Sequence, residues 1–328
     1  MKELSILVTA SGGDIGGNII NILYQQKGVQ LSIVGTDLKE NIFSIDKVDK
    51  FYQVNRIDHP NFKEHILQII EENNIDIVIP VSENEIIWFN ENRELFKHLK
   101  LEVLINNPEI INTFLNKLDT SIELTKISVI TPKTYLFRKY TDQLEFPLIL
   151  KSTYSINSKD IYIVKNKKQL DYLKISIEDH DNYIIQQYVG SIDDEYTTTV
   201  YKDENRFEVI TFKRELTGGM TSFATIYNEE VLTEYAKKIA ESFALYGSIN
   251  IQSRKVDNKF YIFEINPRFS STVFVRDYFG FQDVLWWINS TSKARIFKLH
   301  SKKVSSFGKA ILGYQYKFFT TEGSHEDR

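Results

Sequence analysis

The sequence predicts an α/β protein in two unlike parts: a parallel, helix-covered sheet over about the first 105 residues, followed by an α+β region. Three observations predict it. Strand-like and helix-like runs alternate in the first part, the pattern of a parallel sheet with crossover helices. Strand-like runs dominate from Tyr183 onward. Between them, Asn106-Asn107-Pro108 forms a turn that marks a boundary.

In the first part, an apolar strand over 4–9 runs into a glycine-rich turn and a helix over 18–26, and a second strand over 31–36 ends at Asp37. Phe62, Ile66, Ile69 and Ile70 fall at helical spacing within 62–72. A buried strand over 75–80 opens onto Ser82 and Glu83, and a helix over 83–99 leads to a strand over 101–105. Beyond the boundary, short helices precede a strand at 148–150 introduced by Pro147, while 132–137 also reads as a strand. Strands follow at 183–189, 195–202, 207–213 and 222–227, then a helix over 229–243. Strands at 248–256 and 259–265 flank Asp257-Asn258, a two-residue hairpin turn.

Composition narrows the function. The 328 residues are 42% hydrophobic and 13% aromatic, enough for a substantial core. A net charge of −4, from 40 Lys+Arg and 44 Asp+Glu, lacks the basic excess with which proteins hold nucleic acid or anionic lipid, so neither partner is expected. The absence of cysteine excludes disulfides, thiolate zinc sites and thiol nucleophiles. The first residues lack the apolar core of a signal peptide and no run approaches a membrane span, so a cytoplasmic location is expected.

Two places suggest chemistry. The loop over 9–17, with Ser11, Gly12 and Gly13 ahead of Gly16 and Gly17, lies between a strand and a helix, where backbone N–H groups can meet an anion. Asp37, 21 residues after Gly16, stands where a dinucleotide fold keeps its ribose carboxylate, although Ser11 replaces the first glycine of that fingerprint. A tight turn that binds nothing explains the loop equally well. If it held NAD, Tyr135 and Lys139 would supply the Tyr-x-x-x-Lys pair of a short-chain dehydrogenase or nucleotide-sugar epimerase, but that pair must lie one turn apart on a helix.

The second place is the hairpin. Gln252 on one strand and Glu264 and Asn266 on the other share parity, so three oxygens can converge on one face. One carboxylate with two amide oxygens suits Mg²⁺, which keeps waters and phosphates as its remaining ligands. Arg268, of the same parity, offers a fork for an anion beside the metal. A polar edge face is the bland alternative, against which Ile262, Phe263 and Ile265 make the strand apolar on both sides.

On the segments Asn250-Ile251-Gln252 and Phe263-Glu264-Ile265-Asn266-Pro267-Arg268, the chain resembles the ATP-grasp superfamily, in particular the large subunit of carbamoyl phosphate synthetase and related carboxylate–amine ligases. The resemblance implies a Rossmann-like pre-ATP-grasp domain over 1–106, a small grasp lobe with linker helices and phosphate flap over 107–182, and a large lobe with the metal site over 183–328. It implies ATP and Mg²⁺, for which Mn²⁺ could substitute, with Gln252, Glu264 and Asn266 as metal ligands. Lys117 and Lys151 would hold the phosphates, and Gln187, Tyr188 and Val189 would meet adenine at the hinge. Glu195 would accept hydrogen bonds from ribose, while Arg268 and Lys151 would act on the transferring phosphoryl group. The loop 213–221, with Arg214, Gly218 and Gly219, would cover the acceptor side, Arg214 holding a substrate carboxylate. Ser11, Gly12 and Gly13 would then help form the site of the non-nucleotide substrate and carry no NAD. One departure stands out: 152–159, where the family keeps a glycine-rich flap, contains no glycine. The implied activity is ligation of a small-molecule carboxylate to an amine through an acyl phosphate, releasing ADP and phosphate; a homodimer is compatible with it. A non-catalytic ATP-binding regulator and the NAD enzyme are the rivals.

Overall fold

The computed structural model describes residues 4–154, 161–217, 220–293, 297 and 303–312, and it contains three sheets. The first is fully parallel, in the order β3-β2-β1-β4-β5, from β1 (Leu4–Val8), β2 (Leu31–Asp37), β3 (Lys50–Gln53), β4 (Ile77–Ile79) and β5 (Glu102–Val103). Its inner strands are apolar on both faces because both are covered. Ile6, Val8, Ile33, Ile77 and Ile79 pack under α1 (Asp14–Tyr24). Leu7, Val34 and Val78 pack under α2 (Phe62–Glu72), α3 (Glu83–Glu91) and α4 (Arg93–His98). The single helix expected over 83–99 is two, because Asn92 leaves helical geometry at φ −106° and its side-chain amide donates to the Trp88 carbonyl at 2.8 Å. The short edge strand β3 carries no sequence signal strong enough to have been expected.

The Asn106-Asn107-Pro108 boundary is a junction with structure of its own. Asn107 caps α5 (Pro108–Leu115), accepting from the Ile110 N–H at 2.9 Å, with Pro108 at the first helical position. The buried Asn106 donates to the carbonyls of Ser248 at 2.9 Å and Pro267 at 3.0 Å, pinning the junction to the later sheet.

Next come α6 (Lys117–Lys126) and a four-stranded antiparallel sheet ordered β6-β9-β7-β8, made of β6 (Thr134–Leu136), β7 (Leu148–Ser152), β8 (Ile161–Val164) and β9 (Tyr183–Gln187), with α7 (Lys167–Ser176) on it. Two features differ from the expected lobe boundaries. Strand β9 pairs with β6 and β7, so the small sheet extends through Gln187 rather than closing at 182. Ile110, Phe114 and Leu124 of α5 and α6 join the core of the large lobe, so these helices belong with it by packing.

The third sheet runs β14-β13-β10-β11-β12-β15: β10 (Glu195–Lys202), β11 (Phe207–Thr217), β12 (Met220–Ile226), β13 (Gly247–Val256), β14 (Lys259–Asn266) and β15 (Lys309–Ile311). Asp257 and Asn258 close the β13–β14 hairpin with φ of 45° and 63°, the primed-turn geometry. One face of the sheet packs on α8 (Glu230–Ser242) and α5. The other is divided. Tyr201, Ile210 and Phe212 lie under α9 (Val273–Tyr278) and α10 (Asp283–Ser290), which meet α1, so two domains share one apolar core. Trp286 and Trp287 belong to that core. The remainder of this face is polar.

Candidate active site

Cross-strand register creates the polar end. Gln252 stands directly opposite Glu264, and Asn250 opposite Asn266, so the expected convergence on one face is present. A bulge between Gln252 and Ser253 then turns the hairpin. On the neighbouring strand, Thr197 and Thr199 donate to the Asn250 Oδ1 at 2.7 and 3.4 Å, fixing the inner end of the row.

Two lysines from different elements meet this row. Lys117 opens α6, whose N-cap Asn116 accepts from Leu118 and Asp119 N–H groups, and its own N–H donates to the Thr153 carbonyl beyond β7 at 3.0 Å. Its Nζ lies 3.7 Å from Glu264 Oε1. Lys151 comes from β7 in the small sheet, with Nζ 5.8 Å from the centre of the Phe263 ring. Both side chains are buried. Burial lowers the Lys151 pKa to about 8, with Lys117 and Arg254 adding to the depression and Glu264 opposing it. Such an ammonium gains when an anion replaces the water it has lost.

Arg268 follows β14. Its guanidinium donates to the Phe269 carbonyl at 3.0 Å and to Glu83 Oε1 at 2.9 Å, while its Nε is buried without a hydrogen-bond partner among the described residues. Glu83 starts α3, where Ser82 and Glu85 form a capping box, and Glu85 also accepts from Thr9 at 2.8 Å. Burial pushes the Glu85 carboxyl up, opposed by those hydrogen bonds. The β4 terminus that the sequence predicts to open onto Ser82 and Glu83 thus touches the arginine that follows β14. Behind it, the fully buried Arg276 makes a bidentate pair with Asp283 at 2.9 and 2.7 Å and donates to Ser270 at 2.9 Å. Ser248 donates to the same carboxylate at 2.7 Å. This pair braces the turn that carries Arg268, and no short-range sequence signal points to it.

At the hinge, Gln187 N–H donates to the Lys133 carbonyl at 2.9 Å, Tyr188 and Val189 follow, and Gly190 turns the chain at φ +60°, where an added Cβ would lie 3.2 Å from the Lys255 carbonyl. Glu195 and Arg214, expected at the ribose and at the acceptor, are paired with each other at 2.5 Å; Arg214 also donates to Gln252 Oε1 at 3.0 Å. Arg254, which the sequence reading did not single out although it shares Gln252's parity, donates to the other Glu195 oxygen at 3.1 and 3.0 Å.

The glycine loop lies elsewhere. Gly12 N–H donates to Asp37 Oδ2 at 2.8 Å and Lys39 N–H to Oδ1 at 3.0 Å, so this carboxylate holds its own loop. Gly16 allows α1 to approach: an added Cβ would lie 2.4 Å from the Ala10 carbonyl. Tyr135 is in β6 and Lys139 in the single 3₁₀ turn after it, so they do not share a helix. Ser11, Gly12 and Gly13 line a cavity of about 620 Å³ whose other walls include Thr217, Thr221 and Ser222 of the β11–β12 hairpin, and Ser271, Phe274 and Val275 beyond Arg268. Gly218, Gly219 and most of the glycine-free segment, 155–159, lie outside the described residues, as does the aromatic run 314–319. No cluster of three or more His, Asp or Glu able to hold a metal occurs among the described residues, and none of their helices is long and apolar enough to cross a membrane.

Comparison with known proteins bears on the fold. Residues 6–104 match the family described as "PylC-like, N-terminal domain", and residues 180–288 match "ATP-grasp in the biosynthetic pathway with Ter operon". The carbamoyl phosphate synthase large chain of Methanoregula boonei is 22% identical over 256 residues, 72% of this chain but only 22% of that protein. Among solved structures, biotin carboxylase of Campylobacter jejuni in a βγ-ATP complex superposes with a TM-score of 0.71 at 16% identity, covering 93% of this chain and 74% of that one. N5-carboxyaminoimidazole synthetase of Staphylococcus aureus complexed with ADP gives 0.70 at 17% identity, covering 90% and 80%. No comparison supports a dinucleotide-dependent enzyme. The chain thus carries a stretch matching a PylC-like N-terminal domain over 6–104 and one matching an ATP-grasp domain over 180–288, and its parallel α/β sheet followed by two antiparallel sheets is the fold of the ATP-grasp structures it superposes on.

Proposed function

We propose that the protein is an ATP- and Mg²⁺-dependent ligase that activates a small-molecule carboxylate as an acyl phosphate and joins it to an amine. The observation that carries this reading is the meeting of two buried lysines, Lys117 and Lys151, with Glu264 in the cleft between the small sheet and the metal-strand hairpin. Two cations held out of water beside one carboxylate suit a polyphosphate carrying a divalent ion.

The donor set fits Mg²⁺: Glu264 supplies charge and Asn266 and Gln252 supply amide oxygens on the same face, leaving positions for phosphate oxygens and water. When bound, the ion offsets phosphate charge during transfer. The chain's own groups do the rest. Lys151 and Lys117 hold the phosphates, the backbone from Gln187 to Val189 receives adenine, and Arg268, kept at the domain junction by Glu83, faces the transferring group. A carboxylate oxygen attacks the γ-phosphorus, ADP departs, the amine attacks the acyl carbon, and phosphate leaves with the attacking oxygen. The cavity between the glycine loop and the β11–β12 hairpin is the proposed site of the non-nucleotide substrate, and its Ser271 wall lies three residues from Arg268. A panel of carboxylates and amines scored by ADP release and product mass tests the reading. ADP formation that depends on one carboxylate and one amine supports it, whereas stabilisation by NAD and not by Mg-ATP in a thermal shift contradicts it.

A further inference from the structure

Glu195 has little access to any ligand. Its side chain is 4% exposed and each oxygen already receives a guanidinium: Oε1 from Arg214 at 2.5 Å, Oε2 from Arg254 Nε at 3.1 Å and NH2 at 3.0 Å. Register makes both arginines its direct cross-strand neighbours, one on β11 and one on β13. Each guanidinium then reaches a different part of the cleft. Arg254 lies 5.6 Å from the Tyr188 ring and 5.5 Å from the Phe263 ring, and donates to the Val189 carbonyl at 3.5 Å. Arg214 donates to Gln252 Oε1 at 3.0 Å. One buried carboxylate therefore orients a group against the hinge and another against the metal strand. A sugar hydroxyl bonding to Glu195 would have to reach a remaining lone pair of a carboxylate that is almost wholly covered and already held by two guanidinium groups.

We infer that Glu195 is a positioning residue and not a ribose ligand: it holds Arg254 between Tyr188 and Phe263 and holds Arg214 on Gln252, setting the spacing between hinge and metal strands. The inference rests on the nucleotide reading proposed above. It predicts that Glu195 contributes to nucleotide affinity without contributing to the choice between ATP and 2′-deoxy-ATP.

Isothermal titration of the full chain with Mg-ATP and with Mg-dATP, in wild type and in Glu195→Gln, reads this directly. The expected result is that Glu195→Gln weakens both nucleotides by the same factor, about tenfold, so that their affinity ratio is unchanged. Adding Arg254→Gln should cost little more, because the two residues act as one unit. A ribose ligand would instead give ATP an advantage on the order of ten- to a hundredfold that collapses in Glu195→Gln, and that outcome overturns the inference. If Glu195→Gln fails to fold, Arg254→Lys, which keeps the charge but loses the fork and the stacking, should weaken both nucleotides equally; unchanged binding of both contradicts the positioning role. Failure of wild type to bind either nucleotide would overturn the nucleotide reading itself, and is distinguished by the absence of any ratio.

Discussion

The cleft beside the small sheet and the cavity at the glycine loop are built on opposite principles. The cleft is lined by charged and amide groups on regular strands: Lys151, Arg254, Glu195, Arg214, Gln252 and Glu264, each fixed by a cross-strand neighbour or a buried partner. The cavity is lined mostly by glycines, hydroxyls, amides and apolar side chains from a loop, α1, a hairpin end and α9, with Asp14 and Lys47 as its charged groups. Strands hold charge at fixed spacing, which electrostatic work on a phosphoryl group demands. Loops and small residues adjust the shape of a pocket with little charge, which selection of a particular substrate demands. On the proposed reading, chemistry belongs to the cleft and choice of substrate to the cavity.

The largest effect should follow from the cleft. Glu264→Gln removes its one metal-strand carboxylate and should reduce ADP formation on the order of 10²-fold or more, with the unfolding midpoint nearly unchanged; undiminished ADP formation would remove the cleft from the chemistry. A stability effect tests the bracing of Arg268. Arg276→Met leaves Asp283 as an uncompensated buried charge and should cost about 3–5 kcal/mol in urea unfolding. A smaller and more selective effect belongs to the cavity. Val275→Trp fills it from α9 and should raise KM for the non-nucleotide substrate about tenfold while leaving Mg-ATP affinity alone; the reverse pattern would exchange the two roles.

The mildest test is pH. Burial lowers the Lys151 pKa to about 8, so without nucleotide the lysine opposes folding while it is charged in both states, and this penalty is relieved as pH rises from about 8 toward its ordinary value. Bound phosphates favour the ammonium and raise its pKa, so Mg-ATP binding takes up a proton above pH 8. Affinity should therefore fall above pH 8, approaching tenfold per unit, and calorimetry in buffers of different ionisation enthalpy should register the uptake. Affinity that is flat through pH 9, with no proton uptake, would place Lys151 away from the phosphates.

Much of the cleft was legible because strand parity is local. Gln252, Glu264 and Asn266 share a face by counting residues, and the hairpin turn that pairs their strands announces itself at Asp257-Asn258. Arg254 obeys the same count, but only the neighbouring strands reveal that Glu195 is its partner. Several of the missing readings depend on distant pairs. Arg268 meets Glu83 across 185 positions, and Asn106 reaches Pro267 across 161. The assignment of β9 to the small sheet is likewise a matter of pairing, since its apolar run would suit either lobe. In the N-terminal sheet, Asp37 fits the ribose carboxylate of a dinucleotide site by spacing alone; its bonds to Gly12 and Lys39 give it another task.

The proposed ligation is tested most directly by the fate of the carboxylate oxygen. With a substrate pair from the panel and ¹⁸O in the carboxylate, an acyl phosphate formed in the cleft requires one ¹⁸O in each phosphate released, together with one ADP and one amide bond. Phosphate free of the label, or ADP formed without amide, would contradict the account.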